Sequence, residues 1–85
     1  MTHQELWDGI TNLAAEMNLT CSGLARAAGL DSTTFNKSKR VNHNGTLRWP
    51  STYSLARVLE AAGIGLMEFA RYLPNDTPNN WCRHK

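Results

Sequence analysis

The sequence predicts an all-α domain, and three observations carry that expectation. Apolar residues recur at three- and four-residue spacing in Leu6–Met17 and Leu55–Ala62, the period of a helix with one buried face. Gly29 and Gly63 each follow such a stretch, and Pro74 follows the last one, which is how helix ends are punctuated. No segment reads convincingly as a strand. Eighty-five residues make one domain with a modest core: residues 1–74 as the folded body and 75–85 as a polar, loosely ordered tail.

Five helices are expected in order. Thr2-His-Gln-Glu5 has the form of a capping box, and Leu6, Ile10, Leu13, Ala14 and Met17 place the first helix at about residues 3–17. Trp7 lies beside that stripe and reads as a packing aromatic. Asn18-Leu-Thr20 is a break, and Thr20 or Cys21 caps a second helix over about Ser22–Ala28, with Leu24, Ala25 and Ala28 inward. A third spans about 32–40. Ser51 caps the fourth, whose Leu55, Val58, Leu59 and Ala62 form a core-facing stripe ended by Gly63. The fifth covers about 66–72, with Leu66, Phe69, Ala70 and Leu73 on one face.

Charge is unevenly spread. The formal net charge is only +2, but no acid lies between Asp31 and Glu60, whereas Lys37, Lys39, Arg40, Arg48 and Arg57 do, with His43. A basic band on a small, otherwise balanced domain is the footprint of phosphate contact. Cys21 and Cys82 are far apart and in no paired motif, which fits a reduced cytoplasmic protein. The first residues lack a signal peptide's basic start and apolar run, and no stretch approaches a membrane span. His3, His43 and His84 are scattered, neither cysteine joins them at metal-ligand spacing, and no serine stands in a recognisable catalytic constellation. The residues thus point to no enzyme, metal or cofactor.

One stretch carries the functional signal. Ala25, Gly29, Leu30 and Phe35 stand at offsets of four, one and five, the spacing of a helix-turn-helix. Ala25 is small where a second helix crosses, Gly29 supplies the left-handed turn, and Leu30 and Phe35 plug the angle. Asp31 can accept a backbone N–H of the turn beginning at Ser32. At roughly 100° per residue, Phe35 points opposite Thr33, Asn36, Lys37 and Arg40. That outer face holds hydroxyl, amide and cationic groups and no carboxylate, which suits base edges and phosphates in a major groove. Thr20, Cys21 and Ser22 at the start of the second helix can clamp a phosphate, serve as simple caps, or both. Asn44-Gly45 marks a tight turn in the loop Val41–Trp49. Arg40, His43 and Arg48 flank that loop and can straddle the phosphate backbone, although His43 also reads as a plain solvated loop residue.

The chain resembles the DNA-binding domain of phage-repressor-type and Cro-like transcriptional regulators. The likeness rests on Gly29-Leu-Asp-Ser-Thr-Thr-Phe-Asn-Lys-Ser-Lys-Arg40, Arg48-Trp-Pro-Ser-Thr52 and Ser54-Leu-Ala-Arg-Val-Leu-Glu-Ala-Ala-Gly63, within roughly residues 5–73. It is nearest to the N-terminal part of bacterial regulators that carry a self-cleaving, peptidase-like C-terminal domain. The resemblance implies a compact five-helix, lambda-repressor-like fold and a homodimer on a two-fold related double-stranded DNA operator. It assigns base reading to Ser32, Thr33, Asn36 and Lys37. Backbone contacts fall near Cys21, Thr34, Lys39, Arg40, Trp49 and Ser51. The sequence departs from the pattern at Cys21, where Gln is common, and at Gly65, where a Ser or Thr cap is usual. No peptidase-like domain lies within these residues, so a piece of a longer regulator and a free-standing one both stay open. The alternative is a protein-interaction module of the same fold, using the Leu66, Phe69 and Leu73 face and Trp81.

Overall fold

The computed structural model describes residues 1–74. They form α1 His3–Glu16, α2 Cys21–Ala27, α3 Thr52–Ala62 and α4 Leu66–Phe69, with 3₁₀ turns at Lys37–Lys39 and Ala70–Tyr72. Among the described residues the all-α expectation holds, the one extended pairing being an isolated bridge between Val41 and Leu47. The readings of residues 75–85, including Trp81, Cys82 and His84, lie outside the described residues.

Local chemistry sets the helix limits. The Thr2 hydroxyl accepts the Glu5 N–H at 3.1 Å, and Glu5 Oε1 accepts the Thr2 N–H at 2.8 Å, a reciprocal cap. Thr20 takes the Gly23 N–H at 3.0 Å and Ser51 that of Ser54 at 3.0 Å, satisfying orphan donors of α2 and α3. The three longer helices end alike. Leu19 N–H donates to Ala14 O at 2.8 Å, Leu30 N–H to Ala25 O at 2.9 Å and Ile64 N–H to Leu59 O at 3.1 Å. Each bond follows a left-handed residue, Asn18 (φ 59°), Gly29 (φ 77°) or Gly63 (φ 72°), as in a Schellman cap. α4 has no side-chain cap at Gly65, whose N–H reaches Glu68 Oε1 only at 3.5 Å. The helix expected over 66–72 is therefore one α turn tightening into a 3₁₀ turn.

The core lies between α1 and the rest. α1 supplies Leu6, Trp7, Ile10, Leu13 and Ala14, α2 supplies Leu24 and Ala25, and Val58, Phe35, Phe69 and Leu73 close it. Trp7 is buried, as its place beside the apolar stripe suggests, with its ring edge-on to Phe35 at 6.2 Å. Gly9 lets the C-terminal elements approach α1, because a Cβ there would stand 2.6 Å from Leu73 Cδ2.

The expectation of a third α-helix over 32–40, and with it the count of five, is corrected. Residues 32–35 form a turn, Asn36 is extended (φ −64°, ψ 152°), and a 3₁₀ turn covers Lys37–Lys39. The cause is competition for the backbone. Asp31 Oδ1 accepts the Thr33 N–H at 2.8 Å and the Thr33 hydroxyl at 2.7 Å. The Thr34 N–H and hydroxyl both donate to Asp31 O, at 3.0 and 2.6 Å. The Asp31 carboxylate bond is the cap expected of a helix start, but the Thr34 hydroxyl occupies the Asp31 carbonyl that a helix would offer to the Phe35 N–H, and Ser, Thr and Asn have little helix propensity to resist it.

Candidate nucleic-acid interface

Phe35 fixes the 31–40 segment. Its ring is buried at 1% exposure, and burying a side chain of that size stabilises by about 1.5–3 kcal/mol. The anchor leaves its neighbours outside: Thr33, Asn36, Lys37, Ser38 and Lys39 are exposed, and Ser32 and Thr34 are half-buried. The polar residues therefore face solvent, as the sequence suggests, but they leave a turn and a 3₁₀ coil instead of lining one helix face.

The segment separates two clefts. One, of about 360 Å³, is walled by Asp31, Thr33, Thr34 and Lys39 on one side and by Arg48, Trp49, Pro50, Ser51 and Ser54 on the other. The second, of about 440 Å³, is walled by Asn36, Lys37 and Arg40 opposite Gln4, Asp8, Thr11 and Cys21. The first brings together Thr33, Thr34, Lys39, Arg48, Trp49 and Ser51; the second brings together Cys21, Asn36, Lys37 and Arg40. Ser32, Thr20, Ser22 and His43 line neither. Thr20 is engaged as a cap, and Cys21 Sγ lies 3.7 Å from Thr11 Oγ1.

Two cations are less free than their charge suggests. The Arg40 guanidinium lies over the Trp7 indole, 4.9 Å from the ring centroid, and its Nη2 donates to Phe35 O at 3.5 Å. Its Nε is buried without a hydrogen-bond partner. Arg57 Nε donates to Ala28 O at 3.0 Å and its Nη1 pairs with Glu60 at 3.1 Å, so this side chain clamps α2 to α3 beneath Gly29. Lys37, Lys39 and Arg48 are exposed. Asp31 is the acid of the first cleft. The Thr33 hydroxyl and N–H, with Lys39 nearby, hold its carboxyl below the ordinary 3.8.

The loop after the segment is a hairpin. Asn42 N–H donates to Thr46 O at 2.8 Å and Gly45 N–H to Asn42 O at 2.9 Å. Gly45 has φ 86°, the left-handed position closing a three-residue turn, as Asn44-Gly45 suggests. Arg48 N–H donates to Arg40 O at 2.9 Å across the base. Two residues outside the sequence reading of the site secure that base. His3, mostly buried, places Nε2 2.9 Å from Arg40 O and 2.8 Å from Arg48 O. Two carbonyl partners require a proton on that nitrogen. Trp7 Nε1, 3.0 Å from the same nitrogen, then donates to Arg48 O at 3.1 Å. The spacing of His3 and Trp7, one helical turn apart, is the signal in the sequence: two N–H donors on one face need acceptors.

No protein-family model, curated protein or solved structure matches this chain. Among the described residues no group of His, Cys, Asp and Glu could hold a metal ion, and no helix is long and apolar enough to cross a membrane.

Proposed function

We propose that the chain is a sequence-specific double-stranded DNA-binding regulator, acting in the cytoplasm as a repressor of the phage-repressor type. The observation that carries this reading is the exposed, acid-poor 31–40 segment set between two clefts that hold Lys39 and Arg48 on one side and Lys37 and Arg40 on the other. In this reading the segment does the work of the second member of a helix-turn-helix. Asn36 and Lys37 meet base edges in the major groove, Asn36 toward adenine and Lys37 toward guanine O6 and N7. Ser32 and Thr33 lie beside them, and the Thr33 hydroxyl proton is already given to Asp31. Lys39, Arg48, Trp49 and Ser51 take the phosphates on one flank, where affinity is won and salt sensitivity arises. A homodimer would span half-sites about one helical turn apart. The test is a gel shift with random-sequence duplex over a salt series, followed by selection of bound sequences from a randomised pool. Salt-dependent binding and a two-fold symmetric motif are expected; the absence of any shift at low salt overturns the reading.

A second reading, a protein-interaction module, draws on one observation. An apolar groove of about 220 Å³ runs between Met1, Leu6, Leu55, Leu66, Phe69 and Leu73, and Leu66 and Met67 are 64% and 84% exposed. That surface serves the proposed dimer equally well. The segment from 32 to 59, free of acids, favours the nucleic-acid reading.

A further inference from the structure

We infer that the 41–47 hairpin is a minor-groove probe. This rests on the DNA reading above and extends it to a second groove. The hairpin has a fixed base and a bare tip. Its base is tied to the buried His3 and Trp7 through the Arg40 and Arg48 carbonyls, so its direction is set before any ligand arrives. Its tip is held by its own side chains: Asn42 Nδ2 donates to Thr46 Oγ1 at 2.8 Å, and Asn44 Oδ1 accepts the Thr46 N–H at 3.1 Å and the Thr46 hydroxyl at 2.7 Å. A preorganised projection loses little entropy on docking.

Its position and chemistry select the groove. The hairpin springs from Arg40 and Arg48, residues of the second and first clefts respectively. With Asn36 and Lys37 in the major groove and Lys39 and Arg48 on the adjoining phosphates, the next feature of the duplex beyond that strand is the minor groove. His43 and Asn44 lie in the turn two and three residues beyond Val41, so their side chains would lead the hairpin into a groove about 6 Å wide. Gly45 adds no side chain at the tip. His43 and the Asn44 amide nitrogen can donate there, and the minor-groove edge of A·T pairs offers only acceptors. Val41 and Leu47, paired across the hairpin, are 47% and 59% exposed, and deoxyribose walls would cover them. No acid lies in residues 32–59, so nothing on the hairpin repels the strong negative potential of a narrow minor groove.

The test changes the minor groove alone. Replacing guanine by inosine removes the N2 amino group that blocks the minor groove and leaves the major-groove edge unchanged. The full chain should bind an inosine·cytosine duplex about fivefold or more tighter than the matched guanine·cytosine duplex. His43→Ala and Asn44→Asp should erase that ratio; the aspartate keeps the acceptor for Thr46 while placing a carboxylate at the tip. Ala15→Glu, which adds a charge on an exposed position lining neither cleft, should retain it. Equal binding of the two duplexes overturns the inference and leaves the DNA reading standing. Binding to neither overturns both. Self-association abolished by Leu47→Asn, with the inosine preference absent, would instead assign the apolar pair to contact between copies.

Discussion

The Arg40 guanidinium rests on the Trp7 indole, 4.9 Å from the ring centroid. That contact joins the first helix to the last residue of the proposed reading segment, and it gives one arginine a structural duty within a basic band. It also explains how a segment with so little regular structure keeps its place: Phe35 holds it from below and Arg40 from its end.

Replacing Arg40 by lysine should therefore cost stability although the charge is kept. A planar guanidinium stacks and spans to Phe35 O, and an ammonium does not. Thermal melts should give a loss of about 0.5–2 kcal/mol for Arg40→Lys, with Arg40→Ala no better. An unchanged melting temperature for the lysine variant would dismiss the stacked contact.

His3→Ala should loosen the hairpin. Removing its Nε2 leaves the Arg40 and Arg48 carbonyls with one partner fewer, at a cost of about 1–3 kcal/mol for partly buried acceptors. Amide exchange of Asn42 and Arg48 should quicken more than that of Ile10 or Leu13. Uniform change across the chain would mean that His3 supports α1 only.

The two left-handed helix-end glycines should respond unequally to alanine. Gly63 has open space around it, so Gly63→Ala bears only the backbone strain, about 1 kcal/mol. At Gly29 an added Cβ would stand 2.7 Å from Arg57 Nη2. Gly29→Ala should thus lose more stability than Gly63→Ala, and Arg57→Ala should narrow the gap. Equal losses in the two variants would mean that Arg57 moves aside freely.

Asp31 should impose an acid limit on the turn at 32–35. Its folded carboxyl titrates below the ordinary 3.8, first because the Thr33 hydroxyl donates to it and then because the Thr33 N–H does. A depressed carboxyl stabilises the fold above the unfolded value and loses that contribution as pH falls through the folded one. The stability difference between wild type and Asp31→Asn should be constant well above pH 3.8 and shrink below it. The same variant removes the carboxylate from the first cleft, so it should tighten non-specific duplex binding. Weaker binding by Asp31→Asn would place DNA elsewhere.

Lys39→Ala and Asn36→Ala separate affinity from discrimination. The lysine variant should weaken all duplexes alike and flatten the salt dependence by about one unit. The asparagine variant should relax preference at one base pair, at about 1–3 kcal/mol. Unchanged discrimination in Asn36→Ala would remove that residue from the reading set.

Helix starts and stops were legible because they depend on neighbours in the chain. Thr2 with Glu5, Thr20 with Gly23 and Ser51 with Ser54 act within three residues, and the Asn18, Gly29 and Gly63 turns follow from which residues accept a left-handed backbone. The hairpin turn at Asn44-Gly45 was legible for the same reason. The 32–40 segment departs from the expected helix because the spacing of Ala25, Gly29, Leu30 and Phe35 is met equally by a turn and coil pinned at one aromatic. The Asp31 bond to the Thr33 N–H was legible as a cap, whereas the Thr34 hydroxyl bond to Asp31 O, which occupies a carbonyl the helical ladder needs, leaves no mark in apolar spacing.

By itself, then, the sequence determined the helical class, the caps, the core stripes of α1 and α3, and a basic run empty of acids, since each follows from composition and short-range spacing. Only the tertiary structure decided which of those cations stand free. Arg40 is spent on Trp7 and Arg57 on Ala28 and Glu60, whereas Lys37, Lys39 and Arg48 remain exposed at the clefts. The physical reason is that a charge's duty depends on partners across space, and Trp7 meets Arg40 only after α1 has folded against the middle of the chain.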